Sequence, residues 1–256
     1  MSRLIGIVPA RMAASRFPGK PLHPICGRPL LEHCVARAML YEAWDHLLVA
    51  TCDDEIKSFC ESKGYPVEMT SDTHTRALDR VAEAASLAFP DIADTDIVVC
   101  VQGDEPLLGP DVLDAVVKPL LTDETVPGTM LAVPIVDEKT FLNPDIVKIV
   151  HDLKGNVLYT SRTPIPFAKG GFSRELGALR VGGIFGFRWS FLRWFRETPE
   201  SPLEQKEACD SNRICDNGFF QRIATVPWRP YFSVDSPEDI GRVEEVIQDD
   251  SLWGQY

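Results

Sequence analysis

Three basic side chains, Arg11, Arg16 and Lys20, lie close together near the start of the chain. The planar guanidinium of arginine presents paired donors to phosphate oxygens, and lysine adds a compact positive charge. Gly19, which precedes Lys20, would let backbone N–H groups approach a ligand closely. This combination favours a cradle for a triphosphate, and an ordinary basic surface loop is the alternative.

The charge of the whole chain bears on that choice. The formal net charge is −12, with 38 acidic against 26 basic residues. A positive loop on an acidic chain indicates a confined anion site, because nucleic-acid binding needs a broad basic face. We therefore expect a small anionic ligand and no nucleic-acid partner.

Two carboxylates are candidate metal ligands. Asp104 follows a strongly apolar segment, in Gln102-Gly103-Asp104-Glu105-Pro106, and Asp235 ends another apolar segment just before a predicted helix. Magnesium prefers one or two carboxylates together with phosphate oxygens. We predict that Asp104 and Asp235 bind Mg²⁺. The structural alternatives are a turn residue for Asp104 and a helix N-terminal charge for Asp235.

The elements that would position these residues alternate along the first half of the chain. Apolar runs predict strands over 4–8, 46–52, 67–70 and 96–101, and helical periodicity predicts helices over 29–43, 53–64 and 78–89, with another from 111. Asp53 is predicted to cap the second helix. Alternation of this kind predicts a doubly wound, mostly parallel α/β sheet, whose strands bind ligands at their carboxyl ends.

The pattern changes from about residue 143. Shorter strands appear, and Gly155-Asn156 between two apolar runs predicts a hairpin. We predict an antiparallel section over about 143–220, a helix from 201 to about 216, a strand over 223–226 and a helix from 236. No linker or internal repeat divides the chain, so we predict a single domain over 1–256.

Other features exclude several classes of protein. The seven cysteines form no C-x-x-C pair, so we expect buried thiols in a reducing compartment and no zinc site. No apolar run is long enough for a membrane span, and the N-terminus carries no signal-peptide pattern. We expect a cytoplasmic protein with no membrane partner.

A series of short motifs runs along nearly the whole chain. In order they are Pro9-Ala10-Arg11 with Arg16, Pro18-Gly19-Lys20-Pro21-Leu22, Val101-Gln102-Gly103-Asp104-Glu105-Pro106, Asn143-Pro144 with Val147-Lys148, Ser161-Arg162 with Ile165-Pro166, Ser201-Pro202-Leu203-Glu204 and Val234-Asp235-Ser236-Pro237-Glu238-Asp239. In sequence and order these motifs resemble those of the CMP-Kdo synthetases (3-deoxy-manno-octulosonate cytidylyltransferases). The resemblance implies a nucleotide-diphospho-sugar-transferase, Rossmann-like fold and a homodimer formed through the antiparallel section. It also implies transfer of CMP from CTP to a small acidic acceptor, with Mg²⁺ as cofactor and pyrophosphate as the second product.

The resemblance also implies roles for single residues. Catalytic roles fall to Arg11, Arg16, Lys20 and Asp104, and metal binding falls to Asp104 and Asp235. Nucleotide binding is implied for Pro9, Ala10, Arg11, Lys20, His74, Asp79, Arg80 and Gln102. A place at the acceptor is implied for Gln102, and we further predict acceptor binding for Arg76, Arg162, Glu204 and Glu207.

The sequence departs from the family pattern where the acceptor would bind. Where the family has His-x-Ser-Gly-Thr-Asp-Arg, this chain has His74-Thr75-Arg76-Ala77-Leu78-Asp79-Arg80, and a His and two Tyr of a later motif become Val181, Phe185 and Phe187. Sugar acids with many hydroxyl groups need many hydrogen-bonding partners. We therefore expect a less hydroxylated, Kdo-like acid as acceptor.

Three alternatives remain open. A phosphonate such as phosphonoformate is the alternative acceptor, with Arg76 as an additional anion-binding group unless it is simply exposed at a helix start. A GT-A-type glycosyltransferase fits less well, because Gln-Gly-Asp-Glu matches the Asp-x-Asp metal motif poorly. A non-catalytic nucleotide-binding module would not require Lys20, Asp104 and Asp235 together.

Overall fold

The computed structural model describes residues 2–13, 16–74, 76–230 and 233–256, so Tyr231 and Phe232 of the predicted segment before Asp235 lie outside it. Two compact units emerge, Met1–Asp114 with Arg229–Tyr256, and Ala115–Trp228. The single domain over 1–256 stays a prediction, and each unit is described by itself.

The strands are β1 (Leu4–Pro9), β2 (Pro24–Ile25), β3 (Arg28–Pro29), β4 (His46–Thr51), β5 (Val67–Met69), β6 (Ile97–Val101), β7 (Gly128–Pro134), β8 (Lys148–His151), β9 (Val157–Ser161), β10 (Leu179–Arg188) and β11 (Arg222–Thr225). The helices are α1 (Leu30–Met39), α2 (Asp54–Lys63), α3 (Ala77–Ala88), α4 (Pro110–Thr122), α5 (Glu138–Leu142), α6 (Trp189–Glu197), α7 (Pro202–Glu207), α8 (Ser211–Asp216) and α9 (Glu238–Ile247).

The first unit is built on parallel strands in the order β5-β4-β1-β6. Leu4 to Val8 of β1 and the whole of β6 are buried, which agrees with their continuous apolar sequences. The order of the strands reverses between β1 and β6, because the chain builds first on one side of β1 and then on the other. The predicted parallel α/β arrangement is confirmed in this unit.

Helix boundaries in this unit follow local sequence, with one exception. α2 ends at Gly64, whose φ of 72° is the left-handed conformation that closes many helices. α1, by contrast, is shorter than predicted. Its expected first residue, Pro29, belongs to the small β2–β3 hairpin, where Cys26 and Gly27 adopt φ of 46° and 83°. Positive φ at both central residues is the requirement of a type I′ turn, and Cys26 gave no sequence signal for it.

The second unit mixes strand directions. β7 pairs in parallel with β11 and antiparallel with β10, and β10 pairs antiparallel with β8, which in turn pairs antiparallel with β9. Gly155, with φ of 79°, lies in the connection between β8 and β9, so the predicted hairpin is confirmed. Phe187 of β10 is fully buried and packs near Phe191 and Phe195 of α6.

The single helix predicted from 201 to about 216 is wrong, because the chain forms α7 and α8 with a break at Ala208. Ala208 adopts φ of 47°, and the carbonyl oxygens of Glu207 and Ala208 accept hydrogen bonds from the Arg162 guanidinium at 2.9 and 3.2 Å. Those carbonyls are thus satisfied by a side chain from another element, which offsets the cost of breaking the helix. Among the described residues, no helix is long and apolar enough to cross a membrane.

Candidate active site

The candidate site lies in the first unit, where the loops after β1 and β6 leave the sheet. The strand order reverses between these two strands, and α/β sheets bind ligands outside the carboxyl ends of strands at such a point. Gly103, in the loop after β6, lies close to the backbone at the end of β1. A Cβ at position 103 would lie 2.9 Å from the carbonyl oxygen of Pro9. Only glycine lets the two loops come this close without a shift of the backbone.

A cavity of about 290 Å³ opens at this point and gathers most of the predicted residues. Its wall combines backbone of the two loops with positive, negative and amide side chains. Asp79, in the first turn of α3, is not among the described residues that line it. The lining residues are Pro9, Ala10, Arg11, Arg16, Lys20, Pro21, His74, Arg76, Ala77, Arg80, Gln102, Gly103, Asp104 and Asp235.

Positive and negative side chains are paired at the cavity. Lys20 Nζ donates to Asp104 Oδ2 at 2.7 Å and to the carbonyl oxygen of Val234 at 2.8 Å. Arg16 Nη2 lies 2.8 Å from Asp235 Oδ1, in a more exposed position. The Lys20 and Asp104 side chains keep only 13% and 22% of their surface exposed, so water screens this pair incompletely.

The two carboxylates influence each other. Burial raises the pKa of Asp235, the negative charge of Asp104 raises it further, and Arg16 and Lys20 oppose this rise. The carboxylate of Asp239 accepts hydrogen bonds from the backbone N–H groups of Asp235 and Ser236 and so fixes this turn. A divalent cation bound to both carboxylates would relieve the repulsion between their negative charges.

The described residues contain no cluster of three or more side chains suited to hold a metal ion. A cation at Asp104 and Asp235 would therefore complete its coordination with phosphate oxygens and water, as magnesium commonly does.

One wall of the cavity is fixed by α3. Arg80 Nη1 donates to Thr70 Oγ1 at 2.5 Å and to the carbonyl oxygen of Ser71 at 3.3 Å. Glu83, close to one turn later on the helix, accepts from the Ser71 backbone N–H at 2.8 Å and from His74 Nε2 at 2.6 Å. α3 therefore holds both the His74 side chain and the start of the segment between β5 and α3.

The sequence model of the cytidylyltransferase family matches residues 5–223. The chain belongs to this family. The 3-deoxy-manno-octulosonate cytidylyltransferase of Nitratidesulfovibrio vulgaris (strain Hildenborough) is 40% identical over 247 residues, covering 95% of this chain and 96% of the relative. The enzyme of the same name from Syntrophobacter fumaroxidans is 38% identical over 250 residues, covering 98% and 99%. The resemblance to the CMP-Kdo synthetases is confirmed, and the chain is a nucleotidyltransferase of the cytidylyltransferase class.

Solved structures agree on the fold. The structure of a CMP:2-keto-3-deoxy-manno-octonic acid synthetase complexed with CTP superposes with a TM-score of 0.87 at 28% identity and covers 97% of this chain and 99% of its own. A 4-diphosphocytidyl-2C-methyl-D-erythritol synthase, at 15% identity and a TM-score of 0.63, shares the fold. The predicted nucleotide-diphospho-sugar-transferase, Rossmann-like fold is confirmed.

Two of the predicted acceptor residues of this cytidylyltransferase, Arg162 and Glu207, pair with each other in the second unit. Glu207 accepts from the Arg162 backbone N–H at 2.9 Å, from Tyr159 Oη at 2.6 Å and from Ser161 Oγ at 3.0 Å. Burial would raise the pKa of Glu207, but the hydrogen bonds outweigh it and lower that pKa, while the bond to Glu207 raises the pKa of Tyr159 to about 12. Acceptor binding by Arg162 and Glu207 stays a prediction.

Glu204, the third predicted acceptor residue of the second unit, lies in the interior. Its carboxylate is fully buried and accepts from Arg213 Nη2 at 2.6 Å and Nε at 2.7 Å. Glu204 also completes a capping box with Ser201 at the start of α7. The contacts seen here stabilise the unit, and the acceptor role of Glu204 stays a prediction.

Sequence reasoning missed two residues that support the site. The helical pattern places Glu83 in α3 without a role, although its position three residues after Arg80 puts both on one helix face. Asp53 is predicted to cap α2, but among the described residues its side chain makes no cap bond, and it accepts from the backbone N–H of Met12 instead. Its place just after a strand, at the same sheet edge as the basic loop, was the available signal.

Proposed function

We propose that this cytidylyltransferase transfers CMP from CTP to a small acidic acceptor, a Kdo-like sugar acid, in a Mg²⁺-dependent reaction that releases pyrophosphate. The observation that carries the proposal is the meeting of Arg11, Arg16 and Lys20 with Asp104 and Asp235 around one cavity. Relatives named for 3-deoxy-manno-octulosonate, aligned over nearly their whole length, support the choice of acceptor.

The chemistry needs positioning and charge neutralisation more than a protein nucleophile. An acceptor hydroxyl oxygen bonds to the α-phosphorus of CTP, and the bond from that phosphorus to the bridging oxygen breaks. Pyrophosphate leaves with the electron pair, and the hydroxyl proton passes to solvent. Arg11, Arg16 and Lys20 stabilise the charge that develops on the leaving group. Mg²⁺ held by Asp104 and Asp235 would supply further neutralisation of the phosphate charge.

A phosphonate is the second candidate acceptor, and Arg76 is the observation that favours it. Arg76 lines the cavity at the start of α3. It stands where the family pattern has a small serine. An additional guanidinium matches an acceptor with two negative charges, such as phosphonoformate, better than a neutral sugar hydroxyl.

Pyrophosphate release separates these possibilities. The protein is incubated with CTP and Mg²⁺ and, in parallel, with Kdo, other ulosonic acids and phosphonoformate. Fastest release with a ulosonic acid supports the first proposal, and fastest release with phosphonoformate supports the second. Absence of release with every acid, under conditions where CTP binding is measured directly, would refute both acceptor proposals.

The metal assignment has its own test. Asp104→Asn and Asp235→Asn each keep the size of the side chain and remove its charge. We expect each to lower turnover on the order of 100-fold. Exposed Asp54→Asn, in the first turn of α2, is the matched control. Full turnover in both cavity variants would show that these carboxylates do not hold the metal.

We also propose a homodimer that works in the cytoplasm, formed through the second unit. Leu142, Leu153, Leu158 and Phe167 of that unit are large apolar side chains with more than half of their surface exposed. Large exposed apolar side chains of this kind are candidates for burial against a second subunit if they form one contiguous patch. Light scattering after gel filtration tests the assembly, and a monomeric mass at micromolar concentration would contradict it.

A further inference from the structure

Asp53 supports the basic loop from outside the cavity wall. It lies just after β4, at the position preceding α2, and its Oδ2 accepts a hydrogen bond from the backbone N–H of Met12 at 2.8 Å. Within the described residues the side chain makes no bond to the first turn of α2. The carboxylate is therefore directed across the sheet edge to the neighbouring loop rather than along its own helix.

Met12 is the residue at which the two ends of the loop meet. Regular pairing of β1 with β4 ends nearby, where the Ala10 N–H donates to the Ala50 carbonyl oxygen at 2.9 Å. The Met12 carbonyl oxygen then accepts from the N–H of Gly19 at 3.0 Å. Arg11 directly precedes Met12, and Lys20 directly follows Gly19. A bond that fixes Met12 thus fixes the backbone beside both cations.

Gly19 and Lys20 show how this support reaches the cavity. Gly19 adopts φ of 75°, a conformation in which glycine has no steric cost. The chain then turns through Lys20–Leu22, a short 3-10 helix, and the Lys20 ammonium lies 2.7 Å from Asp104. The direction in which Lys20 enters the cavity therefore depends on the backbone at Gly19, which Met12 holds.

Asp53 is itself held in place. Its backbone N–H donates to Oγ1 of Thr51 at 3.1 Å, and Thr51 is a fully buried residue of β4. The carboxylate thus projects from the junction of a strand and a helix, β4 and α2. A rigid base is what an ordered set of binding groups requires.

We propose that Asp53 is a positioning residue for the transfer reaction. Through the Met12 N–H it holds Arg11 and Lys20 where the triphosphate binds, and it does not touch the substrate itself. The proposal rests on the proposed function, since it assigns to Asp53 the ordering of the same triphosphate site.

Two substitutions separate positioning from helix capping. Asparagine and serine are, like aspartate, preferred residues at the start of a helix, so neither variant places an unfavourable residue type before α2. Asp53→Asn keeps an acceptor oxygen at the same reach, whereas the oxygen of Asp53→Ser is one bond shorter and falls short of the Met12 N–H. Asp54→Ser, which changes the adjacent and exposed carboxylate, is the matched control for charge.

The measurement is calorimetric binding of CTP with Mg²⁺, without acceptor, together with the melting temperature and steady-state kinetics. A hydrogen bond to a charged group corresponds to a factor of about ten or more in affinity. We expect Asp53→Ser to bind CTP about ten-fold more weakly and to turn over more slowly. Asp53→Asn should stay within about three-fold of the wild type, because one neutral hydrogen bond is retained. The Asp54→Ser control should have the CTP affinity and turnover of the wild type, and all the variants should have the melting temperature of the wild type.

The outcomes distinguish the proposed function from the positioning role of Asp53. A wild-type protein that does not bind CTP overturns the proposed function. A wild type that binds CTP, with Asp53→Ser binding equally well, overturns the positioning role alone. Loss of the folded state in Asp53→Ser also overturns it, because that would make Asp53 a determinant of stability rather than of the site.

Discussion

Glu204 offers a direct test of how a buried ion pair differs from a binding group. The side chains of Arg213 and Glu204 retain 3% and 0% of their exposed surface. Arg213 also donates to the carbonyl oxygens of Phe195 and Thr198 and lies 4.1 Å from the centre of the Phe195 ring. Glu204→Gln keeps the shape of the side chain and its place in the capping box but removes the buried negative charge that the guanidinium contacts.

The expected cost follows from that burial. Removing one partner of a buried pair costs about 3–5 kcal/mol, because the other charge stays buried without compensation. We expect the lower end, about 3 kcal/mol, because the amide oxygen of the introduced glutamine still accepts one of the bonds from Arg213. For a chain of this size each kcal/mol corresponds to about 2–4 °C in melting temperature, which gives a decrease of roughly 6–12 °C.

Thermal unfolding and acceptor kinetics together form the assay. Arg213→Met should lower the free energy of unfolding by a similar amount. The double variant should lose clearly less than the sum of the two, because no unpaired charge then remains buried. The KM for the acceptor should stay unchanged at a temperature where every variant is folded. A Glu204→Gln protein that melts with the wild type and has a raised acceptor KM would refute this reasoning and support the acceptor role that the resemblance implies.

Three further predictions concern the first unit. Glu83→Gln, which weakens the bond at 2.6 Å to His74, should raise the KM for CTP several-fold while the melting temperature falls by less than about 3 °C, and an unchanged KM would contradict it. Gly103→Ala places a Cβ 2.9 Å from the Pro9 carbonyl oxygen, so calorimetry should show weaker CTP binding, whereas wild-type affinity would show that the loops can separate freely. Burial, with nearby positive charge, lowers the pKa of His33 below its unfolded value of about 6.5, so the unfolded chain binds the extra proton and stability falls as pH decreases from about 6.5. Urea unfolding at several pH values should show less of this loss in His33→Gln, and an identical pH dependence would exclude His33 as its source.

The sequence predicts the elements of the first unit well because local chemistry determines them. The strands β1 and β6 are continuous apolar runs, and Gly64 ends α2 by a conformation that glycine adopts at low cost. The placement of Lys20 near Asp104 also follows from sequence, since parallel strands share the edge at which both residues lie.

What the sequence does not predict depends on contacts between distant segments. An aspartate after a strand has the pattern of a helix cap, and only the order of the strands reveals that Asp53 faces the Met12 loop. The break at Ala208 is not marked by a glycine in the sequence. It depends on Arg162, which follows β9 and donates a hydrogen bond to the Ala208 carbonyl oxygen. In both cases a side chain from another element replaces the local bond that the sequence pattern implies.

Arg76 is the residue on which the two acceptor hypotheses separate. The wall residues that face a nucleotide in the proposed reaction follow the family pattern, so exchange of the acceptor would leave the demands on Lys20 and Asp104 unchanged. Arg76 stands at the N-terminal end of α3, where the helix dipole already favours an anion, and it lines the same cavity. A second negative charge on the acceptor would therefore be stabilised by both features, whereas a singly charged sugar acid would use only part of them. If the phosphonate is the acceptor, Arg76→Ser should lower turnover with phosphonoformate by about ten-fold or more. The same variant should leave turnover with Kdo nearly unchanged. Equal losses with both acids would mean that Arg76 recognises the carboxylate that they share, and the case for a phosphonate would fail.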